Sequence, residues 1–241
     1  MFEGKRYLCV IPARCGSKRI PQKNIQNVAS KPLIAWSIEA ANQSLLLDKV
    51  IVSTDCKEIA EVAETFGADI PFIRPSNIAG DTHNVVDAII HAINFFEEKK
   101  DMYDYVMILQ PTSPLRTTED IDKAIRFLHL KNADAVVSVC ESEISPRWIK
   151  PLPDTLEMSI FSSDTSTRTR SQDLEKNYRL NGSIYIVDTI RIRKENNIYL
   201  KDNIYAHVME RFHSIDIDEP EDLLIAEALL QARQSKKLHT K

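Results

Sequence analysis

The sequence predicts an α/β fold built on a mostly parallel sheet, and three observations carry that reading. Short β-branched runs alternate with amphipathic helical stretches along most of the 241 residues, which is the rhythm of βαβ units. The first run, Tyr7-Leu8-Cys9-Val10-Ile11, is continuously apolar, as a strand covered on both faces must be. Directly after it, Pro12 leads into a loop that carries Arg14, Lys18, Arg19 and Lys23 and no acid. Open α/β sheets hold their ligands beyond the carboxyl ends of the strands, so this loop is expected to meet a polyanion such as a nucleoside triphosphate.

Each element then has a local reason. Pro12 removes a ladder donor and ends the first strand. Lys31-Pro32 opens a helix whose apolar positions Ile34, Ile38, Ala41 and Leu45 keep to one face. Lys49 to Thr54 reads as the second strand, after which Asp55 caps a helix with Glu58 closing a capping box. Ile59, Val62, Ala63 and Phe66 recur at helical spacing, and Gly67 ends that helix. Ile70 to Ile73 is a short third strand leading to Arg74, and Val86, Ile89, Ile90 and Ile93 mark the next helix. Tyr105 to Leu109 is a central buried strand; it ends in Gln110-Pro111-Thr112-Ser113-Pro114-Leu115-Arg116, and Thr118 caps a helix bearing Ile121, Ala124, Ile125 and Leu128. Ala135 to Cys140 and Gly182 to Val187 are further strands. A last strand, Phe212 to Ile217, feeds a terminal helix with Leu223, Leu224, Ala228 and Leu230.

The rhythm fails between Glu141 and Leu180, where prolines and a Ser/Thr/Arg-rich segment replace apolar runs. The expected organisation is therefore a core of residues 1–140 and 181–234, an arm of residues 141–180 and a frayed basic tail of residues 235–241. Composition narrows the function. A hydrophobic fraction of 43% supports one large core, while a net charge of −4 argues against a partner that is nucleic acid. No apolar stretch approaches the ~20 residues that span a bilayer, so no membrane partner is expected either. The N-terminus lacks a signal-peptide core. Cys9, Cys15, Cys56 and Cys140 are scattered without a C-x-x-C pair, which points to a reducing cytoplasm rather than to zinc or a disulfide framework. Cys15, inside the basic loop, is expected to have a lowered pKa and to be prone to oxidation.

The loop is neither a P-loop nor a dinucleotide fingerprint, since both glycine patterns are absent; Gly16 is its only glycine, so side-chain cations must do what backbone amides do in those motifs. A merely solvated basic loop is the alternative. The second signal is Ser214-Ile215-Asp216-Ile217-Asp218. On a strand, Asp216 and Asp218 share one face, and two carboxylates there suit magnesium, which takes one or two carboxylates together with phosphate and water. Asp218 also reads as a helix cap before Glu219-Pro220-Glu221, whereas Asp216 has no such role. Gln110 either binds a polyhydroxylated substrate or caps its strand, and Arg74 is either an ion-pair partner or a nucleotide contact. The histidines show no metal spacing.

Taken in order, Ile11 to Arg14 through Lys23-Asn24, Ser53-Thr54-Asp55, Gln110 to Arg116, Asn181-Gly182-Ser183-Ile184-Tyr185 and Ser214 to Asp218 resemble the acylneuraminate cytidylyltransferases, the CMP-sialic acid synthetases. The resemblance spans about Tyr7 to Leu230. It implies a Rossmann-like, three-layer nucleotidyltransferase fold and the reaction of CTP with a nine-carbon 2-keto sugar acid to give a CMP-sugar and pyrophosphate, with magnesium, in a homodimer. By matched position, Arg14, Ser17, Lys18, Lys23, Asn24 and Arg74 would hold CTP, Gln110 and Tyr185 would line the sugar site, and Asp216 and Asp218 would bind magnesium. Catalysis is expected to rest on positioning and charge neutralisation, with Arg14 and Lys23 on the leaving pyrophosphate. A carboxylate of the Asp216/Asp218 pair or a base on the cation would take the hydroxyl proton, and the sequence leaves both open.

Some positions depart from the pattern. Cys15 and Arg19 stand where many members have glycine, and Ser171 replaces an arginine beside Gln172, with Arg170 one place earlier. Arg19 is similar to the pseudaminic branch, while the Gln110-to-Arg116 motif is similar to the sialic and legionaminic branches, so the acid itself is open among these three. An eight-carbon acid such as KDO, or a non-catalytic nucleotide binder, are the rival readings. The arm carries Trp148 as an anchor together with Lys150 and Arg170; the resemblance implies that such an arm is exchanged between subunits and that Lys150 and Arg170 face a sugar bound by the other subunit.

Overall fold

A computed structural model describes residues 1–78, 80, 84–162 and 175–239. Its centre is a six-stranded sheet. Strands β1 (Tyr7–Pro12), β4 (Lys49–Ser53), β5 (Tyr105–Ile108), β6 (Ala135–Glu141), β7 (Tyr178–Asp188) and β8 (Ile204–Met209) lie in the order β4-β1-β5-β7-β6-β8. β1 pairs in parallel with β4 and β5, and β6 with β8; β7 alone runs against both of its neighbours. Two residues each from Asn27–Val28 (β2) and Lys31–Pro32 (β3) form a separate small hairpin.

Alternation along β1 builds the layers. Tyr7, Cys9 and Ile11 pack with Ile34 and Ile38 of α1 (Leu33–Asn42), Ile59 and Ala63 of α2 (Lys57–Thr65) and Ile121 and Ile125 of α4 (Thr118–Lys131). Leu8 and Val10 face the opposite way, onto Val86, Ile89 and Ile93 of α3 (Val85–Glu98) and Ile192 of α6 (Thr189–Glu195). A third cluster joins Leu33, Trp36, Leu115 and Ile217 to Ala226 and Leu230 of the last helix, α7 (Pro220–His239). The result is the three-layer, mostly parallel α/β architecture that the sequence predicts.

Several local expectations need correction. Pro32 precedes α1 rather than opening it, and Leu45 lies beyond the helix at 92% exposure. Residues 70–73 do not form a strand; the span makes one isolated bridge, Thr54 to Ile73, with another just before it, Ile51 to Asp69. Thr117, not Thr118, caps α4, because its hydroxyl takes the Asp120 N–H while the Asp120 carboxylate takes its own N–H in return. The strand expected over Phe212–Ile217 is absent: Arg211–His213 is a single 3-10 turn, and the chain then runs irregularly to α7. The sheet's edge is instead β8, which the sequence reading passes over. On α7, Leu224 and Ala228 are exposed, and Leu223, Ala226 and Leu230 make the packed face. The helix runs to His239, through residues 235–239 that were expected to fray.

Between β6 and β7, the described residues contain a 3-10 turn, Pro146–Trp148, and a short α5, Ser159–Ser162. Ile144, Trp148, Ile149, Leu152, Leu156 and Met158 are all exposed there. Among the described residues, no helix is long and apolar enough to cross a membrane.

Candidate active site

The strand order puts β1 between β4 and β5, so the crossovers leaving β1 and β4 part in opposite directions above its carboxyl end. That switch point is where an open sheet leaves a crevice. A cavity of about 580 Å³ opens there, lined by Arg14, Ser17, Lys18, Arg19, Lys23, Asn24, Arg74, Asn84, Gln110, Thr112 and Asp218 among others. Eight of the residues proposed from sequence thus converge on one space: Arg14, Ser17, Lys18, Lys23, Asn24, Arg74, Gln110 and Asp218.

The loop after β1 is held by its own side chains and by its neighbours. Asn24 is buried and donates its Nδ2–H to the Arg14 carbonyl at 3.1 Å, so it shapes the loop from within. Asp55 is not the helix cap expected of it. The cap position of α2 is Cys56, and the Asp55 carboxylate instead accepts the Cys15 N–H at 3.1 Å and the Arg74 guanidinium at 3.2 Å. Here both partners of the bond are ionised and the guanidinium is buried, whereas a helix cap would pair the carboxylate only with a neutral backbone N–H. Arg74 is thus an ion-pair residue that also lines the cavity; its Nε is buried without a partner. Cys15 donates its S–H to Cys56 at 2.7 Å, and that bond, with burial adding, pushes the Cys15 thiol up to about 11, the opposite of the lowering expected from the basic loop.

The opposite wall is the turn after β5. Arg116 is fully buried and donates to the carbonyls of Gln110 and Ser183 at 3.3 and 2.8 Å and to the Ser37 hydroxyl. It ties the ends of β5 and β7 to α1, and burial lowers its own pKa to about 10. The irregular segment 214–218 docks between the two walls. Ile217 donates its N–H to the Thr112 carbonyl at 2.9 Å, and its carbonyl accepts from Lys23 Nζ at 2.7 Å. Lys23 Nζ also lies 3.6 Å from Asp218, and Arg19 reaches Glu219 and Asp218 at 3.2 and 3.8 Å.

Asp216 owes its place to a distortion of β7. The β6–β7 register shifts between Val137, opposite Tyr185, and Val139, opposite Leu180, so residues 181–184 bulge out of the ladder. Buried Asn181 fills the gap. Its Oδ1 accepts from Ser138 Oγ at 2.6 Å and from the Ser183 N–H at 3.2 Å, and its Nδ2 donates to Ser214 Oγ at 2.8 Å. This network anchors Ser214, two residues before Asp216. Gly182, at φ +70°, faces Asp216 Oδ2 and Gln110 Oε1, which would stand 3.1 and 3.2 Å from a Cβ at that position. Burial pushes the Asp216 carboxyl above its ordinary range; a hydrogen bond from Thr112 opposes the shift, and the charge of Asp218 adds to it. Asp216 Oδ1 is buried without a partner. An orphaned anionic oxygen beside a second, exposed carboxylate fits a hard cation that takes its other ligands from phosphate and water. No group of three metal-ligating side chains exists among the described residues, so a protein-only cage is not the arrangement.

Of the other residues proposed from sequence, Asp216, Tyr185 and Lys150 are not among those that line this cavity; Asp216 lies next to it, sharing Gly182 as a neighbour with Gln110. Tyr185 is buried in the core layer with α3 and α6, hydrogen-bonded to Tyr199, although Asp216 still acts on it electrostatically. Lys150 is half-buried in the arm and does not line the cavity. Arg170 lies outside the described residues. Among the supporting residues, Asp55, Asn181 and Ser214 stand in the motifs that carry the resemblance, but their hydrogen-bonding roles were not foreseen, and Ser138 was missed altogether; the one local signal is Asn-Gly-Ser inside a strand, a bulge sequence.

Comparison with known proteins bears on the same residues. A family model described as cytidylyltransferase matches residues 8–238. The chain belongs to the cytidylyltransferase family. Relatives span its length. It is 39% identical over 236 residues to the CMP-N,N'-diacetyllegionaminic acid synthase of Legionella pneumophila, covering 95% of this chain and 98% of that one. It is 34% identical over 222 residues to a pseudaminic acid cytidylyltransferase of Campylobacter jejuni, covering 92% and 95%. It is 33% identical over 234 residues to the N-acylneuraminate cytidylyltransferase of Escherichia coli, covering 97% of this chain and 54% of the relative. Among solved cytidylyltransferase structures, a CMP:2-keto-3-deoxy-manno-octonic acid synthetase complexed with CTP superposes with a TM-score of 0.70 at 16% identity, covering 95% and 99%. At that identity the likeness concerns the fold.

Proposed function

We propose that this chain transfers the cytidylyl group of CTP to the anomeric hydroxyl of a nine-carbon 2-keto sugar acid of the neuraminic, legionaminic or pseudaminic type, releasing pyrophosphate. The observation that carries the reading is the convergence of Arg14, Lys18 and Lys23 on one cavity with Asp218, in a chain with full-length relatives that make CMP-sugar acids. The hydroxyl oxygen forms a bond to the α-phosphorus as the bond to the β-phosphate oxygen breaks. Arg14, Ser17, Lys18 and Lys23 bind the triphosphate and neutralise the charge that gathers on the leaving pyrophosphate. Arg74, with its unpaired Nε, and Asn84 line the same cavity and are the groups we assign to the nucleoside. Gln110, held through its carbonyl by Arg116, offers its amide to the sugar acid near Gly182. Asp216 and Asp218 would hold magnesium, which when bound supplies charge neutralisation on the phosphates. Arg74 and Asn24 keep the loop and the nucleoside wall in register, so that the reacting groups meet in line.

The active form is a homodimer, with the arm as the interface. Six apolar side chains of the arm, from Ile144 to Met158, are exposed in the single chain, and a twofold partner covers such a surface with the same residues. Lys150 and Arg170 then complete the sugar site of the neighbour. The reaction belongs in the cytoplasm, consistent with four free cysteines. Pyrophosphate release, measured with each nucleoside triphosphate against neuraminic, legionaminic, pseudaminic and KDO acids, tests the reading. Turnover with CTP and a nine-carbon acid is expected; turnover only with KDO or with another nucleotide overturns it. Mixing Lys150→Ala with Asp216→Asn chains tests the exchange. Recovered activity is expected if the sites are shared, and none, with mixed dimers verified, means that each subunit builds its site alone.

A further inference from the structure

Cys15 and Cys56 come from different parts of the chain, 41 residues apart, and meet at the edge of the cavity with their sulfurs 2.7 Å apart. Cys15 is exposed in the basic loop between Arg14 and Ser17, both of which line the cavity; Cys56 is half-buried at the cap position of α2. Both backbones are fixed at the contact. The Cys15 N–H is held by Asp55 at 3.1 Å, and the Cys56 N–H by the Thr54 hydroxyl at 3.1 Å. A disulfide bond is about 2.05 Å long, so joining these sulfurs takes less than about 1 Å of movement. Neither thiol has a part in the proposed transfer. The other two cysteines differ in access: Cys9 and Cys140 are buried in the sheet.

We propose that Cys15 and Cys56 form a reversible disulfide that fastens the basic loop to α2 and thereby weakens nucleotide binding. The consequence for the nucleotide rests on the reading of the cavity as a CTP site. With a peroxide as oxidant, one sulfur attacks an oxygen; an S–O bond forms, the O–O bond breaks and one water leaves. The second sulfur then attacks the first, the S–S bond forms, the S–O bond breaks and a second water leaves. The two sulfurs lose two electrons to the peroxide, and both thiol protons end in water. The disulfide closes across the loop and fixes the stretch between Arg14 and Ser17, which line the cavity, so their side chains lose the freedom to adjust to phosphates. Bonds of this kind in a reducing compartment are transient and redox-sensing.

The test uses the full chain, reduced and then treated with hydrogen peroxide. Alkylation and peptide mapping without reductant should find a Cys15–Cys56 linked peptide, with free thiols falling from four to two and dithiothreitol restoring four. Cys15→Ser and Cys56→Ser should each abolish the link. CTP binding by calorimetry should weaken at least fivefold in the oxidised chain, recover with dithiothreitol, and stay unchanged on oxidation of Cys56→Ser. Four surviving thiols, or Cys15 oxidised to sulfinic acid with no link, overturn the pair. A link that leaves the CTP affinity unchanged overturns the loop lock. Failure of the reduced chain to bind CTP overturns the nucleotide reading instead, and the peptide map then judges the pair alone.

Discussion

Replacing Gly182 with alanine probes the point where the sugar and cation halves of the site touch. The residue sits at φ +70°, in the left-handed region, where a side chain costs about 1–2 kcal/mol. The new Cβ would stand 3.1 Å from Asp216 Oδ2 and 3.2 Å from Gln110 Oε1, tighter than an ordinary contact. Both are ends of side chains, so each can withdraw by a few tenths of an ångström without disturbing the sheet. The stability loss should therefore stay near the backbone figure, which for a chain of this size lowers Tm by about 2–8 °C. Withdrawal of Gln110 and Asp216 costs more in rate than in stability, because catalytic groups displaced by ~1 Å cost about a hundredfold. A drop of roughly tenfold in kcat/KM for the sugar acid is expected for the smaller displacement, with the KM for CTP little changed and a higher magnesium concentration needed for half-maximal rate. Differential scanning fluorimetry and steady-state pyrophosphate release read the two effects separately. A variant that melts lower yet turns over like the parent would refute the placement of Gln110 and Asp216 at the reacting centre.

Other substitutions follow from the same geometry. Asp216→Asn should cut kcat about a hundredfold or more while Tm at pH 7 holds or rises. Burial raises the folded carboxyl's pKa, so the charged form opposes folding above the unfolded value, and the amide removes that cost; a fall in Tm would make Asp216 a structural ion-pair residue. Lys23→Ala should lose turnover and also about 1–2 kcal/mol of stability, since the half-buried Nζ carries the bond to the Ile217 carbonyl; unchanged denaturant midpoints would discount that tie. The His213–Asp120 pair should give a pH signature. The Asp120 hydrogen bond raises His213, whose contribution is full below about pH 6.5 and is lost as pH rises through the folded value. Asp120 is lowered, with His213 and Thr117 outweighing the opposing effect of burial, so its contribution is present above about pH 4 and is lost as pH falls through the folded value. His213→Asn should therefore flatten the fall in Tm between pH 5.5 and 8, and a parallel fall in both proteins would show that the pair is not the cause.

What the sequence determined was whatever is written in short-range pattern. The continuous apolar runs of β1 and β5, the helical spacing in α2, α3 and α4, and the acid-free basic loop after β1 were legible because burial on one face or both leaves a period of its own. The strand reading of Phe212–Ile217 failed for an equally physical reason. Alternation of Ile with Asp imitates a half-buried strand, but Ile217 pairs its backbone with Thr112 and Lys23, and His213 and Ser214 bond back into the 3-10 turn, instead of joining a ladder. The true edge strand, Ile204–Met209, buries only Met209 and exposes Tyr205, Ala206 and Val208, so its burial leaves no period in the sequence. Only the tertiary structure could take Asp55 from the cap position it occupies in sequence and spend it on Arg74 and Cys15. The same holds for Ser138, Asn181 and Ser214, which meet across three separate segments to set the position of Asp216. Local sequence records which face of an element is buried. Which distant side chains share a hydrogen bond depends on how far the chain has already folded back, and no window of neighbouring residues carries that information.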